Sequence, residues 1–159
     1  MLDLGCGTGL LGAALAQAGA TITGIDLSAE MMALAAARGH YAQLVKGDLV
    51  EHMRAAGAAT FDAVLAADVL VYIGDLEPVF EGAARVLAPG GLFAFSVEAL
   101  ETGDFALRPN GRYVHSAGYV RAVAARQSLS ERSFERIRVR IEYGIPVEGW
   151  LAVFSSSQL

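Results

Sequence analysis

The sequence predicts an α/β domain in which helices cover both faces of a mostly parallel sheet. Three observations favour this fold class. Short apolar segments alternate with alanine-rich helical segments over most of the chain. The length of 159 residues suits one domain. Near the end of the chain the apolar residues change to a period of two, which is typical of an antiparallel hairpin. We therefore expect residues 1–159 to form a single domain.

In the first half of the chain, glycines and capping residues separate the predicted elements. A strand over 1–4 leads into a glycine loop at 5–9, and the helix that follows over 10–18 ends at Gly19. Ser28 can cap a second helix over 29–38. The other predicted elements are strands over 21–26, 42–46 and 61–66 and a helix over 50–56.

The second half begins with a helix over 76–87 that carries Pro78 in its first turn, where a missing N–H costs little. A tight break at 88–91, a strand over 92–97 and a loop over 101–113 are predicted next. Ser116 can cap a helix that runs to about 127. The final hairpin has an alternating strand around 137–141, a turn over 143–149 and a returning strand over 150–154.

Charge and composition exclude several functional classes. The net charge of −5 argues against binding to nucleic acid or to an anionic membrane surface. The uncharged stretch 4–25 is long enough to cross a bilayer, but six glycines and a change of pattern predict strand, loop, helix and strand instead. The single cysteine, Cys6, excludes an intrachain disulfide and suits a cytoplasmic location. With three scattered histidines, we expect no metal site.

In the predicted parallel sheet the polar loop residues follow the carboxyl ends of the strands, so they lie at one edge of the sheet. Ligands of parallel sheets bind at this edge. The glycine loop there permits more than one interpretation. It lacks the Gly-Lys-Ser/Thr end of a phosphate-binding P-loop. A dinucleotide fingerprint G-x-G-x-x-G fits 7–12, with Asp26 near the usual spacing for a ribose ligand. The pattern alone leaves a nicotinamide-dependent oxidoreductase open.

Another interpretation of the loop also uses the carboxylate of Asp3, near the end of the first strand. A charge buried there needs a partner. A cationic amino group is one, and the N-terminal N–H groups of the next helix suit a carboxylate. Asp26 can accept both hydroxyls of a ribose, and Asp48 an exocyclic adenine amine. An amino acid, a ribose and an adenine together describe S-adenosylmethionine.

The chain resembles the class I S-adenosylmethionine-dependent methyltransferases over residues 1 to about 98. The matching segments, in order, are LDLGCGTG at 2–9, GIDLS at 24–28 with Met31, GDL at 47–49, FDAVLAADVL at 61–70 and LAPGGL at 87–92. The terminal hairpin is similar to the reversed seventh strand of that family, so the resemblance implies a Rossmann-like sheet of about seven strands. Residues 112–116 and the helix after them look similar to the methyltransferase part of bacterial proteins with tetratricopeptide repeats.

The resemblance implies a role for each matching residue. Asp3 faces the methionine amino group, and Gly5, Cys6 and Gly7 form the turn against the cofactor. Asp26 holds the ribose. The remaining cofactor positions are Leu27 and Met31 on the adenine, Asp48 and Leu49 at its edge, and Ala67 beside the methionine portion.

The methyl acceptor is less well defined by the sequence. An acidic chain without a basic groove favours a small molecule. No catalytic residue stands out; the candidates are His115, Tyr113 and Asp68, of which a histidine has a pKa suited to a base.

Family members usually carry a helical segment before the first strand, and we expect that segment to be missing here. The prediction is an open cofactor site and an apolar patch that favours self-association. The missing segment also leaves open the alternative that the chain is a binding or assembly module that keeps the fold without catalysing a reaction.

Overall fold

The computed structural model describes residues 1–157 and contains one mixed sheet of nine strands in that range. Its first half consists of β1 (Leu2–Leu4), α1 (Leu10–Ala16), β2 (Thr23–Asp26), α2 (Ala29–Arg38), β3 (Gln43–Lys46), α3 (Leu49–Ala55) and β4 (Phe61–Ala66). Its second half consists of a 3₁₀ turn (Leu70–Tyr72), α4 (Glu77–Val86), β5 (Leu87–Leu100), β6 (Phe105–Leu107), β7 (Tyr113–Ser116), α5 (Ala117–Arg126), β8 (Ser130–Glu142) and β9 (Ile145–Ser155).

The order of the strands confirms the predicted fold class. Strands β3, β2, β1, β4 and β5 are parallel neighbours, and β9 lies antiparallel to β5 with β8 at its outer side. Glu98 of β5 pairs with Gly149 of β9 on one edge and with Val114 of β7 on the other. One edge of β5 pairs with β9, and its other edge pairs first with β4 and then with β7. Strands β7 and β6 therefore extend the sheet beyond the carboxyl end of β4.

The core lies between the sheet and the helices α3, α4 and α5. Phe80 of α4 packs edge-on against Phe93 and Phe95 of β5, with ring centroids 5.1 and 5.2 Å apart. Leu2 and Leu4 of β1 belong to the same buried cluster. Since side chains alternate along a strand, Asp3 points to the other face, which carries α1 and α2.

The structure differs from the sequence prediction in the segment 101–113, which was expected to be a loop. It contains β6, which pairs antiparallel with β7, the strand that follows it. The expected break at 88–91 lies inside β5, which begins directly after α4. The sheet therefore has two more strands than the seven expected.

The terminal hairpin is present, but its strands are longer than predicted and its turn is shorter. Only Tyr143 and Gly144 lie between β8 and β9, and both have positive φ (48° and 79°). Two such residues match the twist of the flanking strands, so the hairpin closes with a two-residue turn. No helix within residues 1–157 is long and apolar enough to cross a membrane.

Candidate functional site

A cleft of about 460 Å³ opens at the carboxyl ends of β1, β2, β3 and β4. Its lining combines glycines, apolar side chains and three aspartates, and includes no lysine, arginine or histidine from the described part of the chain. The lining residues are Gly5, Gly7, Ile25, Asp26, Leu27, Met31, Gly47, Asp48, Leu49, Asp68, Val69, Tyr72 and Ile73. Seven of the ten predicted cofactor residues are therefore together; Asp3, Cys6 and Ala67 lie outside the lining.

The glycine loop forms one wall of the cleft. Gly5 and Gly7 have φ values of +66° and +53°, in the left-handed region that favours glycine. A Cβ on Gly5 would lie 2.3 Å from Cγ2 and 2.6 Å from Cβ of Val69. The absence of a side chain at Gly5 therefore lets the loop after β1 approach the loop after β4.

Asp26, at the end of β2, holds this wall in place. Its Oδ2 accepts from the N–H of Gly7 at 2.9 Å, and its Oδ1 accepts from the N–H of Ser28 at 2.8 Å. Both partners are backbone groups, and the carboxylate still lines the cleft. Asp26 therefore sets the distance between the glycine loop and the start of α2.

Asp48 holds the third strand end in a similar way. It caps α3, since its Oδ1 accepts from the N–H groups of Val50 and Glu51 at 2.9 and 3.0 Å. This cap places Leu49 at the first helical position, against the floor of the cleft. The predicted start of this helix is one residue too late.

The rim of the cleft is apolar and open. Leu27 is 69% exposed and Met31 is 44% exposed, although both are large apolar side chains. Ser28 caps α2 through the N–H of Met31 at 3.2 Å, which orients this rim. An exposed pair of this kind beside two carboxylates suits a ligand with an aromatic ring and hydroxyl groups.

Asp3 is one of the three predicted cofactor residues outside the lining. It is only 1% exposed, and its Oδ2 accepts from the hydroxyl of Tyr41 at 2.6 Å. Burial is the main cause that raises the pKa of Asp3 to about 6, the Tyr41 hydrogen bond lowers it, and the charge of Asp26 raises it further. Sequence reasoning missed Tyr41, because nothing local marks a tyrosine in the loop between α2 and β3.

Cys6 and Ala67 are placed differently from each other. Cys6 is buried, and its N–H donates to the carbonyl oxygen of Ile25 at 2.9 Å. Burial raises the pKa of the Cys6 thiol to about 12, so the thiol stays protonated at neutral pH. Ala67 is exposed at the end of β4, next to Asp68 and Val69, which do line the cleft.

At the other end of the cleft, Asp68 adopts a strained backbone conformation. Its φ is +54°, and its N–H donates to Oγ of Ser96 at 3.1 Å. Oδ1 of Asp68 lies 3.3 Å from Nη1 of Arg140 and 3.6 Å from Nη1 of Arg112. Residues far apart in the chain thus fix this carboxylate.

The same arginines hold a second carboxylate, Glu98, at the end of β5. Glu98 is buried, bonds to Nη2 of Arg140 and lies 3.8 Å from Nη1 of Arg112. The guanidinium of Arg112 also lies 5.5 Å from the ring centroid of Tyr72, a lining residue. This end of the cleft is therefore an internally paired charge network beside an exposed aromatic ring.

Of the candidate catalytic residues, Asp68 lines the cleft and the other two do not. His115 is fully buried, and its Nε2 donates to the carbonyl oxygen of Gly74 at 2.9 Å. Burial lowers the pKa of His115, so the ring is neutral at pH 7. Tyr113 packs on the backbone at Gly74, where its ring would meet an added Cβ at 2.6 Å. The structure brings neither side chain to the cleft.

Solved structures with the same fold include S-adenosylmethionine-dependent enzymes. A methyltransferase of this type from Methanosarcina mazei matches with a TM-score of 0.80 at 18% identity, covering 99% of this chain and 92% of the other. The 1,6-didemethyltoxoflavin-N1-methyltransferase of Burkholderia thailandensis, solved with S-adenosylhomocysteine, matches with a TM-score of 0.79 at 19% identity, covering 99% and 70%. These matches confirm the Rossmann-like methyltransferase fold.

Curated relatives match by sequence. The ubiquinone biosynthesis O-methyltransferase of Actinobacillus pleuropneumoniae is 33% identical over 103 residues, which are 60% of this chain and 44% of the relative. That of Thiobacillus denitrificans is 41% identical over 101 residues, 60% of this chain and 43% of the relative. The chain thus spans less than half the length of these relatives.

A family model described as a methyltransferase domain matches residues 2–95, more than half of the chain. The matched range contains every residue that lines the cleft. The match bears out the methyltransferase resemblance of the sequence, and this chain therefore belongs to the methyltransferase domain family.

Proposed function

We propose that this chain transfers a methyl group from S-adenosylmethionine to a hydroxyl group of a small aromatic acceptor. The observation that carries the proposal is the charge of the cleft. Asp26, Asp48 and Asp68 line it, and no described cationic side chain does. S-adenosylmethionine brings a sulfonium and an ammonium group, which the carboxylates of Asp26 and Asp48 attract, since neither is paired with a cationic side chain of the described residues. The pyrophosphate of a nicotinamide cofactor would meet the same carboxylates and be repelled.

The cofactor roles proposed from the family follow the geometry of the cleft. The ribose hydroxyls would bind at Asp26, because that carboxylate ends β2 in the middle of the lining. The adenine would pack between the exposed side chains of Leu27 and Met31, with its edge toward Asp48 and Leu49. The glycine loop leaves room for the methionine portion. The predicted positions Asp3, Cys6 and Ala67 would act from behind the lining, Cys6 and Ala67 through their backbone.

The acceptor would bind at the end of the cleft formed by Asp68 and Tyr72. When bound in the rest of the cleft, S-adenosylmethionine supplies an electrophilic methyl group. The protein then has to position the acceptor in line with that methyl group. Ser96 holds the backbone N–H of Asp68, and Arg112 and Arg140 lie beside its carboxylate. A carboxylate can accept the hydrogen bond of an acceptor hydroxyl. The curated relatives are named as O-methyltransferases, which supports a hydroxyl acceptor.

Calorimetry with S-adenosylhomocysteine and with NADH tests the cofactor. We expect S-adenosylhomocysteine to bind and NADH not to bind. Binding of NADH in place of S-adenosylhomocysteine would contradict the proposal and favour the oxidoreductase alternative.

Methyl transfer to catechol, with aniline as the nitrogen acceptor for comparison, tests the reaction. We expect catechol to be methylated and aniline not. Binding of S-adenosylhomocysteine without transfer to any acceptor, in this chain and in a version extended at its N-terminus, would favour a binding or assembly module.

The proposal extends to the domain organisation, location, relatives and self-association of the protein. We infer a single domain over residues 1–159, a cytoplasmic location and, from residues 112–116, a relationship to methyltransferases with tetratricopeptide repeats. Self-association through an apolar face is supported by the exposed side chains of Leu10 and Leu34. Light scattering over a tenfold range of concentration tests this last point.

A further inference from the structure

The ring of Tyr41 is inserted among three glycines behind the glycine loop. A Cβ added to Gly12 would lie 2.4 Å from the ring, and one added to Gly24 would lie 2.7 Å from it. A Cβ on Gly9 would lie 3.1 Å from a ring atom. Gly12 and Gly24 therefore have to be glycine for Tyr41 to enter, and Gly9 leaves the ring a close fit, which is a reason unrelated to a dinucleotide phosphate.

The hydroxyl group of Tyr41 connects two parts of the site. It donates to Oδ2 of Asp3 at 2.6 Å and accepts from the N–H of Gly12 at 3.2 Å. Gly12 lies in the first turn of α1, where N–H groups have no partner within the helix. Tyr41 thus ties the carboxylate of β1 to the helix that follows the glycine loop.

The surroundings of Asp3 make this hydroxyl necessary for an ionised carboxylate. Asp3 is almost completely buried, and the other titratable groups that face it are Asp26 and Cys6. Asp26 is acidic and Cys6 is a protonated thiol, so neither supplies positive charge. A buried carboxylate without a hydrogen bond or a cation is unstable. Within residues 1–157, the side chain of Asp3 accepts one hydrogen bond, which Tyr41 donates to Oδ2.

We propose that Tyr41 is a positioning residue for the cofactor, which acts by holding the Asp3 carboxylate ionised with its other oxygen directed to the cofactor's amino group. The inference rests on the proposed function, in which Asp3 faces that amino group. Tyr41 itself does not line the cleft, so it would not contact the cofactor directly. Its effect should appear only with ligands that carry the amino group.

Two ligands separate this role from a merely structural one. S-adenosylhomocysteine has the amino acid portion, whereas 5′-methylthioadenosine keeps the adenosine and the sulfur and lacks it. The test variant is Tyr41→Phe, which keeps the ring among the glycines and removes the hydroxyl. Tyr143→Phe is the matched control, because Tyr143 is 98% exposed at the hairpin turn.

For Tyr41→Phe we expect about a tenfold loss of affinity for S-adenosylhomocysteine by calorimetry at pH 7, as for the loss of a hydrogen bond to a charged group. Affinity for 5′-methylthioadenosine should stay within about twofold, and Tyr143→Phe should match the parent with both ligands. Equal losses for the two ligands, or no loss for either, would overturn the proposal.

The pH dependence gives a second readout. Protonation of Asp3 removes its attraction for the amino group, so affinity for S-adenosylhomocysteine should fall as the pH falls through about 6 in the parent. The Tyr41 hydrogen bond lowers the pKa of Asp3, so Tyr41→Phe should move this fall to higher pH. An unchanged midpoint would contradict a positioning role.

Asp3→Asn keeps the test decisive if Tyr41→Phe does not fold. It retains an oxygen that accepts from Tyr41 and removes the charge. We expect it to bind S-adenosylhomocysteine about tenfold more weakly, without the pH dependence, and to bind 5′-methylthioadenosine like the parent. Parent-like binding of S-adenosylhomocysteine would overturn the inference. A parent chain that binds neither ligand would overturn the proposed function itself.

Discussion

The two ends of the cleft treat their carboxylates in opposite ways. On the proposed cofactor side, Asp26 and Asp48 accept hydrogen bonds from backbone N–H groups, and within residues 1–157 neither is paired with a cationic side chain. On the proposed acceptor side, Asp68 and Glu98 are paired with arginines of distant segments. The cofactor side therefore keeps an uncompensated negative charge, and the acceptor side has its charges balanced within the protein.

This difference in charge pairing explains how one cleft could bind two unlike ligands. Under the proposed function, a cationic cofactor would be attracted where the carboxylates have no counter-ion, and an uncharged acceptor would be positioned where they have one. Both arrangements depend on the close approach of the loop after β1 to the loop after β4, at Gly5 and Val69.

Substitution of Gly5 gives the largest expected effect, because it disturbs both sides. Gly5→Ala adds a Cβ within 2.6 Å of Cβ of Val69, an atom that side-chain rotation does not move, and it also forces alanine to a φ of +66°. We expect the free energy of unfolding to fall by about 4 kcal/mol in urea denaturation. Gly19→Ala is the control: its φ is +73° with nothing within 4 Å, and it should cost about 1 kcal/mol. Equal losses would show that the contact with Val69 is unimportant.

The next largest effect tests the acceptor side. Arg140→Gln removes the cation that bonds to both Glu98 and Asp68. Because Glu98 is buried, we expect a loss of about 3 kcal/mol in the free energy of unfolding. Arg138→Gln, on the exposed surface of the same strand, should change it by less than about 0.5 kcal/mol. Similar values for the two variants would contradict the charge network.

Two buried titratable groups, one in each half of the chain, should respond to pH in opposite directions. The pKa of Asp3 is raised from 3.8 to about 6, so its stabilising contribution is complete below pH 3.8 and is lost as the pH rises through 6, up to about 3 kcal/mol. The pKa of His115 is lowered from 6.5 by burial, so its contribution is present above pH 6.5 and is lost as the pH falls.

Urea denaturation between pH 4 and pH 7.5 measures both groups. As the pH falls, the free energy of unfolding of the parent should rise relative to that of Asp3→Asn. Over the same pH range it should fall relative to that of His115→Gln. A parent curve parallel to that of either variant would show that the residue concerned does not titrate differently in the folded protein.

The smallest of these effects tests the cofactor side alone. Asp26→Ala should weaken the binding of S-adenosylhomocysteine by about 30-fold, or about 2 kcal/mol, since one carboxylate holds the loop and is proposed to hold the ribose. Asp104→Ala is the control, because Asp104 is an exposed acidic residue outside the cleft. Parent-like binding in calorimetry would remove the ribose role from Asp26.

What the sequence predicted well is local in the chain. The parallel sheet, the glycine loop and the carboxylates after β2 and β3 depend on contiguous segments, and most of the predicted cofactor residues share the cleft. The contacts that sequence reasoning missed join distant residues. Tyr41 is 38 positions from Asp3, and Arg140 is 72 positions from Asp68. No spacing rule links such pairs, because the fold alone brings them together.

The segment that contains β6 and β7 was missed for a related reason. Phe105–Leu107 has only three residues, and all of them are apolar, so no alternation of apolar and polar residues marks a strand. It is a strand because it pairs with Tyr113–Ser116, which in turn pairs with the last residues of β5. His115 looked available in sequence as a loop residue, and this pairing buries it.

The decisive experiment is a crystal structure of the chain with S-adenosylhomocysteine. We expect the ribose hydroxyls at Asp26, the adenine between Leu27 and Met31, and the amino group toward Asp3. An empty cleft at saturating ligand, or an adenosine portion seated away from Asp26, would contradict it.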